Sequence, residues 1–111
     1  MAIQNISENV IVVTLPKNQQ RSEELTAINE IVNDKGGCDV IIDFCRVEIV
    51  TSADICNLLI LHKLLIELGH RLILCNVAFA TKCIFSVTGL DKVFEFVDDK
   101  PVALKTIESP L

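Results

Sequence analysis

Five cysteines (Cys38, Cys45, Cys56, Cys75, Cys83) and two histidines (His62, His70) are the side chains that could carry nucleophilic, redox or metal chemistry. A thiol nucleophile needs a base within hydrogen-bond reach, and a Cys–His pair is possible in composition. The spacing argues against it. His62 falls in the middle of an apolar segment, and His70 follows a helix-ending glycine at the start of a strand. The two histidines are eight positions apart and fit no zinc-ligand template. The cysteines are odd in number and form no CxxC pair, so a disulfide framework and a thioredoxin-type motif are both disfavoured. Most of them sit in apolar runs such as Ile41-Ile42-Asp43-Phe44-Cys45 and Leu72-Ile73-Leu74-Cys75. They read as small buried hydrophobes in a reducing, cytoplasmic compartment. No GxxxxGK or GxGxxG phosphate loop occurs, and Gly36-Gly37 closes a helix instead of opening one. Asp98-Asp99, just before Pro101, suit the positive end of a last helix. No catalytic, metal-ligating or cofactor-binding set can be assembled.

One segment stands apart, Glu48-Ile49-Val50-Thr51-Ser52-Ala53-Asp54-Ile55. A strand leads into a turn with two hydroxyls and a carboxylate, at the entrance of an intensely apolar helix. Backbone N–H groups at such an end are unpaired and carry partial positive charge. A local reading makes Ser52 the cap and Asp54 a favourable first-turn charge. A functional reading makes Thr51 to Asp54 a surface for a partner.

The elements that position this turn follow from the pattern. Val10 to Leu15 is a β-branched run ending at Pro16, and Ile3 to Ile6 pairs with it across Ser7-Glu8-Asn9 as an edge hairpin. Ser22 opens a helix carrying Leu25, Ile28, Ile31 and Val32 on one face, and Gly36-Gly37 ends it. Asp39 to Cys45 is too continuously apolar to be half exposed and predicts a central strand covered on both faces. A helix over about Ala53 to Leu68 follows, then a strand from Arg71 to Val77, and a helix from Phe79 or Ala80 to Val87. A short strand spans Val93 to Val97, and a helix opened by Pro101 runs through Ile107. Strands alternating with helices imply an α/β fold with a mostly parallel sheet of four or five strands and about four helices, in one domain.

Length and charge agree. The 111 residues, 50% apolar, suffice for one core and exclude a disordered chain. No stretch reaches the roughly 20 mostly apolar residues of a membrane span, and Met1 to Glu8 does not read as a signal peptide. The net charge of −5, with basic residues scattered singly, argues against nucleic-acid binding and against attachment to anionic lipid.

The order of motifs resembles the STAS domain, the anti-sigma factor antagonist family. Val40-Ile41-Ile42-Asp43-Phe44 is similar to the family's V-x-L-D-L strand, and Gly69 to Leu74 to its G-x-x-L-x-L strand. Thr88-Gly89-Leu90-Asp91-Lys92-Val93-Phe94 matches T-G-L-D-x-V-F almost letter for letter. The likeness covers about Val10 to Ile107 and implies a STAS-like α/β sandwich. It also implies a non-catalytic module that binds a protein, often a serine kinase of the anti-sigma type. Phosphorylation of the second hydroxyl in a D-S-S-G-L turn switches that binding.

This chain departs from the pattern at that turn. Thr51 falls on the family's Asp, Ser52 on the first Ser, Ala53 on the phosphorylated Ser and Asp54 on the Gly. Alanine has no oxygen to accept phosphate. The early loop also differs: Thr14-Leu15-Pro16-Lys17 stands where many relatives carry Gly-x-Leu-Asp. Docking through Thr51, Ser52, Ala53 and Asp54 and the following helix is the leading expectation, with Asp54 supplying a fixed negative charge near the place where relatives add a regulated one. A phosphoacceptor displaced to Ser52 or Thr51 is the second. A hydroxyl-Ala pair is also found in STAS partners of ABC-transporter ATPases, which makes an accessory subunit of such an ATPase an alternative. A small thiol enzyme is a further one. A homodimer is compatible with the apolar excess of the second helix.

Overall fold

The computed structural model describes residues 2–17 and 21–108. Strands β1 (Ala2–Ser7) and β2 (Val10–Thr14) form an antiparallel hairpin whose register shifts between Asn5 and Ser7. Helix α1 (Arg21–Lys35), strand β3 (Asp39–Asp43), helix α2 (Ser52–Glu67) and strand β4 (Leu72–Cys75) follow. Helix α3 (Phe79–Val87), a 3-10 turn at Leu90–Lys92, strand β5 (Glu95–Val97) and helix α4 (Lys100–Glu108) complete the chain. The strands lie side by side in chain order, β1-β2-β3-β4-β5, and every pair after the hairpin is parallel.

That order fixes the layers. Successive right-handed crossovers between neighbouring parallel strands all return over the same face. α1, α2 and α3 therefore share one side of the sheet, leaving the other to α4. Alternation along the strands sorts the core accordingly. Ile11, Val13, Val40, Ile42, Leu72 and Leu74 join Leu25, Ile28, Leu58, Leu61, Leu65 and Phe85 in the main cluster. Val12, Ile41, Ile73 and Cys75 point the other way, against Ala103, Leu104 and Ile107. β3 is thus buried on both faces, as its unbroken apolar run predicts. Among the described residues no helix is long and apolar enough to cross a membrane.

The expected boundaries shift in informative ways. α2 begins at Ser52, so the cap is Thr51 and not Ser52, and Leu68 is the C-cap instead of the last helical residue. Ser22 lies inside α1, and residues 18–20, where a cap would be, fall outside the described residues. Val93 and Phe94 leave the last strand for the end of the 3-10 turn, where Phe94 is buried edge-on to Phe85 and His62. Asp99 Oδ1 accepts from Val102 N at 3.1 Å, bearing out the acidic start of α4. Burial of the cysteines holds only for Cys38 and Cys75; Cys45, Cys56 and Cys83 are exposed. Those three lie in a loop or on outward helix faces, where an apolar neighbourhood in sequence does not mean one in space.

Candidate functional site

The capping geometry of α2 is reciprocal. Thr51, in extended backbone, accepts from Asp54 N through Oγ1 at 3.2 Å, while Thr51 N donates to Asp54 Oδ2 at 2.9 Å. The T-x-x-D spacing meets the requirement of a capping box, which is why Thr51 displaces Ser52 as cap.

Asp54 has a second partner that local sequence does not announce. Arg21, at the start of α1, donates to Asp54 Oδ2 from Nε at 3.0 Å and from Nη2 at 2.9 Å. Its Nη2 also donates to Ile49 O at 2.9 Å, and its Nη1 to Lys17 O at 3.0 Å. One guanidinium therefore ties the chain leaving β2, the loop entering α2 and the first turn of α2 to a single point. Both side chains are buried, 9% exposed for Arg21 and 5% for Asp54. A buried charge pair of this kind is hard to break, because removing one partner strands the other away from water, at a cost of about 3–5 kcal/mol.

Asp54 is consequently not a surface charge. The expectation that it presents a fixed negative charge to a partner is overturned: its carboxylate faces inward, and Oδ2 accepts from three donors. Thr51, Ser52 and Ala53 remain exposed above it. The Thr51 hydroxyl is engaged in the cap, whereas the Ser52 side chain makes no hydrogen bond among the described residues. Ile49, two residues before the cap, stands 70% exposed beside them. Lys17 and Glu48 approach to 3.6 Å nearby, but both are so exposed that water screens the pair.

Behind this turn, at the C-terminal end of the sheet, Asp43 is a buried carboxylate. Its Oδ1 accepts from Cys45 N and from Asn76 Nδ2, each at 2.9 Å, and its Oδ2 lies 4.0 Å from Lys100 Nζ. Asn76 adopts φ 55°, and its side-chain bond to Asp43 holds that left-handed backbone. Burial, followed by the nearby Asp43 carboxylate, pushes the Cys75 thiol up to about 12. The same two causes, in the same order, raise Cys45, and burial raises Cys38. Raised thiols are poor nucleophiles at neutral pH.

The two histidines are occupied elsewhere. The His62 ring packs edge-on against Phe94 at 5.5 Å. His70 Nδ1 lies 3.2 Å from Asp39 Oδ1, at the opposite end of the sheet from the turn. Gly37, at φ +111°, makes room for that ring: a Cβ there would meet His70 Cδ2 at 2.6 Å. Among the described residues there is no pocket and no cluster of metal-ligating side chains.

Arg21 is the functional-site residue that sequence reasoning missed, since its partner lies 33 positions away. No local signal marks it: Arg21 is simply the first residue of α1, two positions before Glu23.

No family model and no curated protein sequence matches the chain. Solved structures do. An anti-sigma factor antagonist (STAS) domain protein from Planctomyces limnophilus superposes with a TM-score of 0.76 at 25% identity, covering 96% of this chain and 98% of its own. The Bacillus cell fate determinant SpoIIAA, an anti-sigma factor antagonist, is known in phosphorylated and unphosphorylated forms. The unphosphorylated structure gives a TM-score of 0.79 at 16% identity, with 98% of each chain covered. RsbS of Moorella thermoacetica gives 0.78 at 17% identity, covering 96% of this chain and 95% of its own. A further match comes from the architecture of the stressosome, described as a signal integration and transduction hub.

Proposed function

We propose, from the premise that this chain is a STAS domain in its fold, that it is a non-catalytic protein-interaction module of cytoplasmic signalling. It docks a partner through the exposed turn Thr51, Ser52 and Ala53 and the outward side of α2. The partner class this favours is a serine kinase of the anti-sigma factor type. One observation carries the reading: the entrance of α2 is pinned from inside by Arg21 and Asp54 while its three preceding and first residues face water. A rigid, exposed turn binds with little ordering cost.

Ala53 occupies the position where the family carries its phosphorylated serine, so docking here is constitutive at that position. The same feature supports the alternative of an accessory subunit of an ABC-transporter ATPase. Ser52 is the second candidate acceptor, because its hydroxyl makes no hydrogen bond among the described residues while that of Thr51 holds the cap. A phosphate there would set about −1.5 to −2 charges in the contact surface.

The test is affinity capture from the native cell with the wild-type chain and with Ala53→Arg, followed by titration of the recovered protein. Recovery of a kinase or a transporter ATPase by the wild type, lost in Ala53→Arg at unchanged thermal stability, supports the reading. Equal recovery by both chains removes it. Intact-mass analysis after incubation with the recovered kinase settles Ser52, since Ser52→Ala must abolish any added phosphate.

A further inference from the structure

α3 is the barest helix in the domain. Of its nine residues only Thr81 and Phe85 are buried. Phe79, Cys83 and Val87 recur every four positions and form one outward ridge. Phe79 is 82% exposed and Val87 87%, and Cys83 lies open between them. Ile84, 38% exposed, adjoins the ridge on the same helix, and Val93, 40% exposed, ends the 3-10 turn that packs against α3. α1, on the far side of the same layer, has no large exposed apolar residue, and its outward residues include Glu23, Glu30 and Asp34. At roughly 150–200 Å² for a fully exposed large apolar side chain, Phe79, Ile84, Val87 and Val93 present about 400 Å². That lies within the range for the largest apolar patch on a monomer, about 300–600 Å². It is about half of the roughly 800 Å² that each side gives to a standard interface.

The ridge is also self-complementary. Cys83 is the midpoint between Phe79 and Val87, four residues from each. A two-fold axis through it, with two α3 helices antiparallel, sets Phe79 of one copy against Val87 of the other and brings the two Cys83 side chains together. The small residues Ala80, Cys83 and Ser86 around the midpoint let helices approach to the usual 8–10 Å or so. Charge favours the same pairing. Between Phe79 and Phe94 the charged residues are Lys82, Asp91 and Lys92, a sum of +1 in a chain of −5. This face is therefore free of the acidic excess that makes two copies repel each other.

We propose that the outward ridge of α3 is a self-association surface, on which a second copy of this chain packs its own α3 antiparallel about Cys83. The contact uses residues of α3 and none of the Thr51–Ala53 turn. Its area places it among weak, reversible interfaces.

Sedimentation velocity of the full chain over roughly micromolar to millimolar concentration is the first test. The wild type should shift towards a dimer, and Phe79→Glu and Val87→Glu should each weaken association about tenfold or more while circular dichroism stays unchanged. Ile60→Glu, on the outer side of α2, should have no effect. Diamide provides the second test: two thiols give up their hydrogens to it, forming one disulfide and its reduced hydrazine. A covalent dimer should form that Cys83→Ser abolishes and that Cys45→Ser and Cys56→Ser leave intact. A monomer at every concentration, insensitivity to Phe79→Glu, or cross-linking only through Cys45 or Cys56 overturns the proposal.

Discussion

Replacing Asp54 by alanine tests whether the entrance of α2 is held from within. The substitution removes the acceptor for Arg21 Nε and Nη2 and for Thr51 N at one stroke. Arg21 keeps Lys17 O and Ile49 O, but its charge is left without a counter-charge in a site where the side chain is 9% exposed. Stranding a buried charge costs about 3–5 kcal/mol. The lost capping box alone is worth about 1 kcal/mol and overlaps with that figure, because one oxygen serves both roles. A fall of about 3–5 kcal/mol in a domain of this size lowers the melting temperature by roughly 12–20 °C. Urea denaturation with circular dichroism measures it as a lower midpoint at unchanged m. The double replacement Arg21→Met with Asp54→Leu should regain most of the loss, since it removes both charges together. A single-mutant loss below about 0.5 kcal/mol would refute the buried clamp and return Asp54 to the role of a surface charge.

Four other outcomes follow from the same coordinates. Native-state titration with a thiol reagent should modify Cys56 and Cys83 readily, Cys45 more slowly, and Cys38 and Cys75 only on unfolding, because the last two are enclosed. Stability should decline as pH rises above about 9. The unfolded Cys75 thiol ionises at its ordinary 9.0 while the folded one holds its proton to about 12, so alkali draws the chain towards the unfolded state across that window. Cys75→Ala should flatten the decline, and a profile identical to the wild type would refute the assignment. Leu61→Ala, at a fully buried site under α2, should cost about 2–5 kcal/mol by chemical denaturation. Gly37→Ala should destabilise by displacing the His70 ring, and the more conservative Gly36→Ala, with open space around it, should cost less.

How far the molecule was legible in advance depends on where each partner lies. β3 announced burial on both faces because a run without polar alternation leaves no side for water, and Ile41 and Ile42 do point to opposite layers. The antiparallel hairpin and the acidic start of α4 rest on neighbours a few positions apart, and the parallel crossovers follow from the alternation of strands with helices. The hydroxyl-rich turn was also visible, but the choice between Thr51 and Ser52 as cap turned on a three-residue spacing that only an inward-facing Asp54 makes decisive. The Arg21–Asp54 contact was not legible: nothing local distinguishes an arginine that reaches another helix from one that reaches water. Cysteine burial failed for a related reason. Cys56 and Cys83 sit among apolar residues in sequence but on the outward sides of their helices.

The inward turn of Asp54 also bears on how this domain takes a negative residue where the turn it resembles has glycine. A carboxylate at the third position of a helix is favoured by the free N–H groups there, but it must still be kept out of the contact surface if that surface is to stay neutral. Arg21 does so by drawing the charge under the turn and neutralising it. Ala53 faces water, and Asp54, one position on, faces the protein, so under the proposed docking recognition and stability fall to separate residues. An Ala53→Glu chain should accordingly keep its melting temperature within about 2 °C of the wild type, since the new carboxylate is exposed near a helix N-terminus. Under the proposed docking its partner affinity should fall by an order of magnitude or more, as a charge is placed where the exposed turn carries none. Loss of stability in Ala53→Glu comparable to that in Asp54→Ala would show that the two positions are not separable.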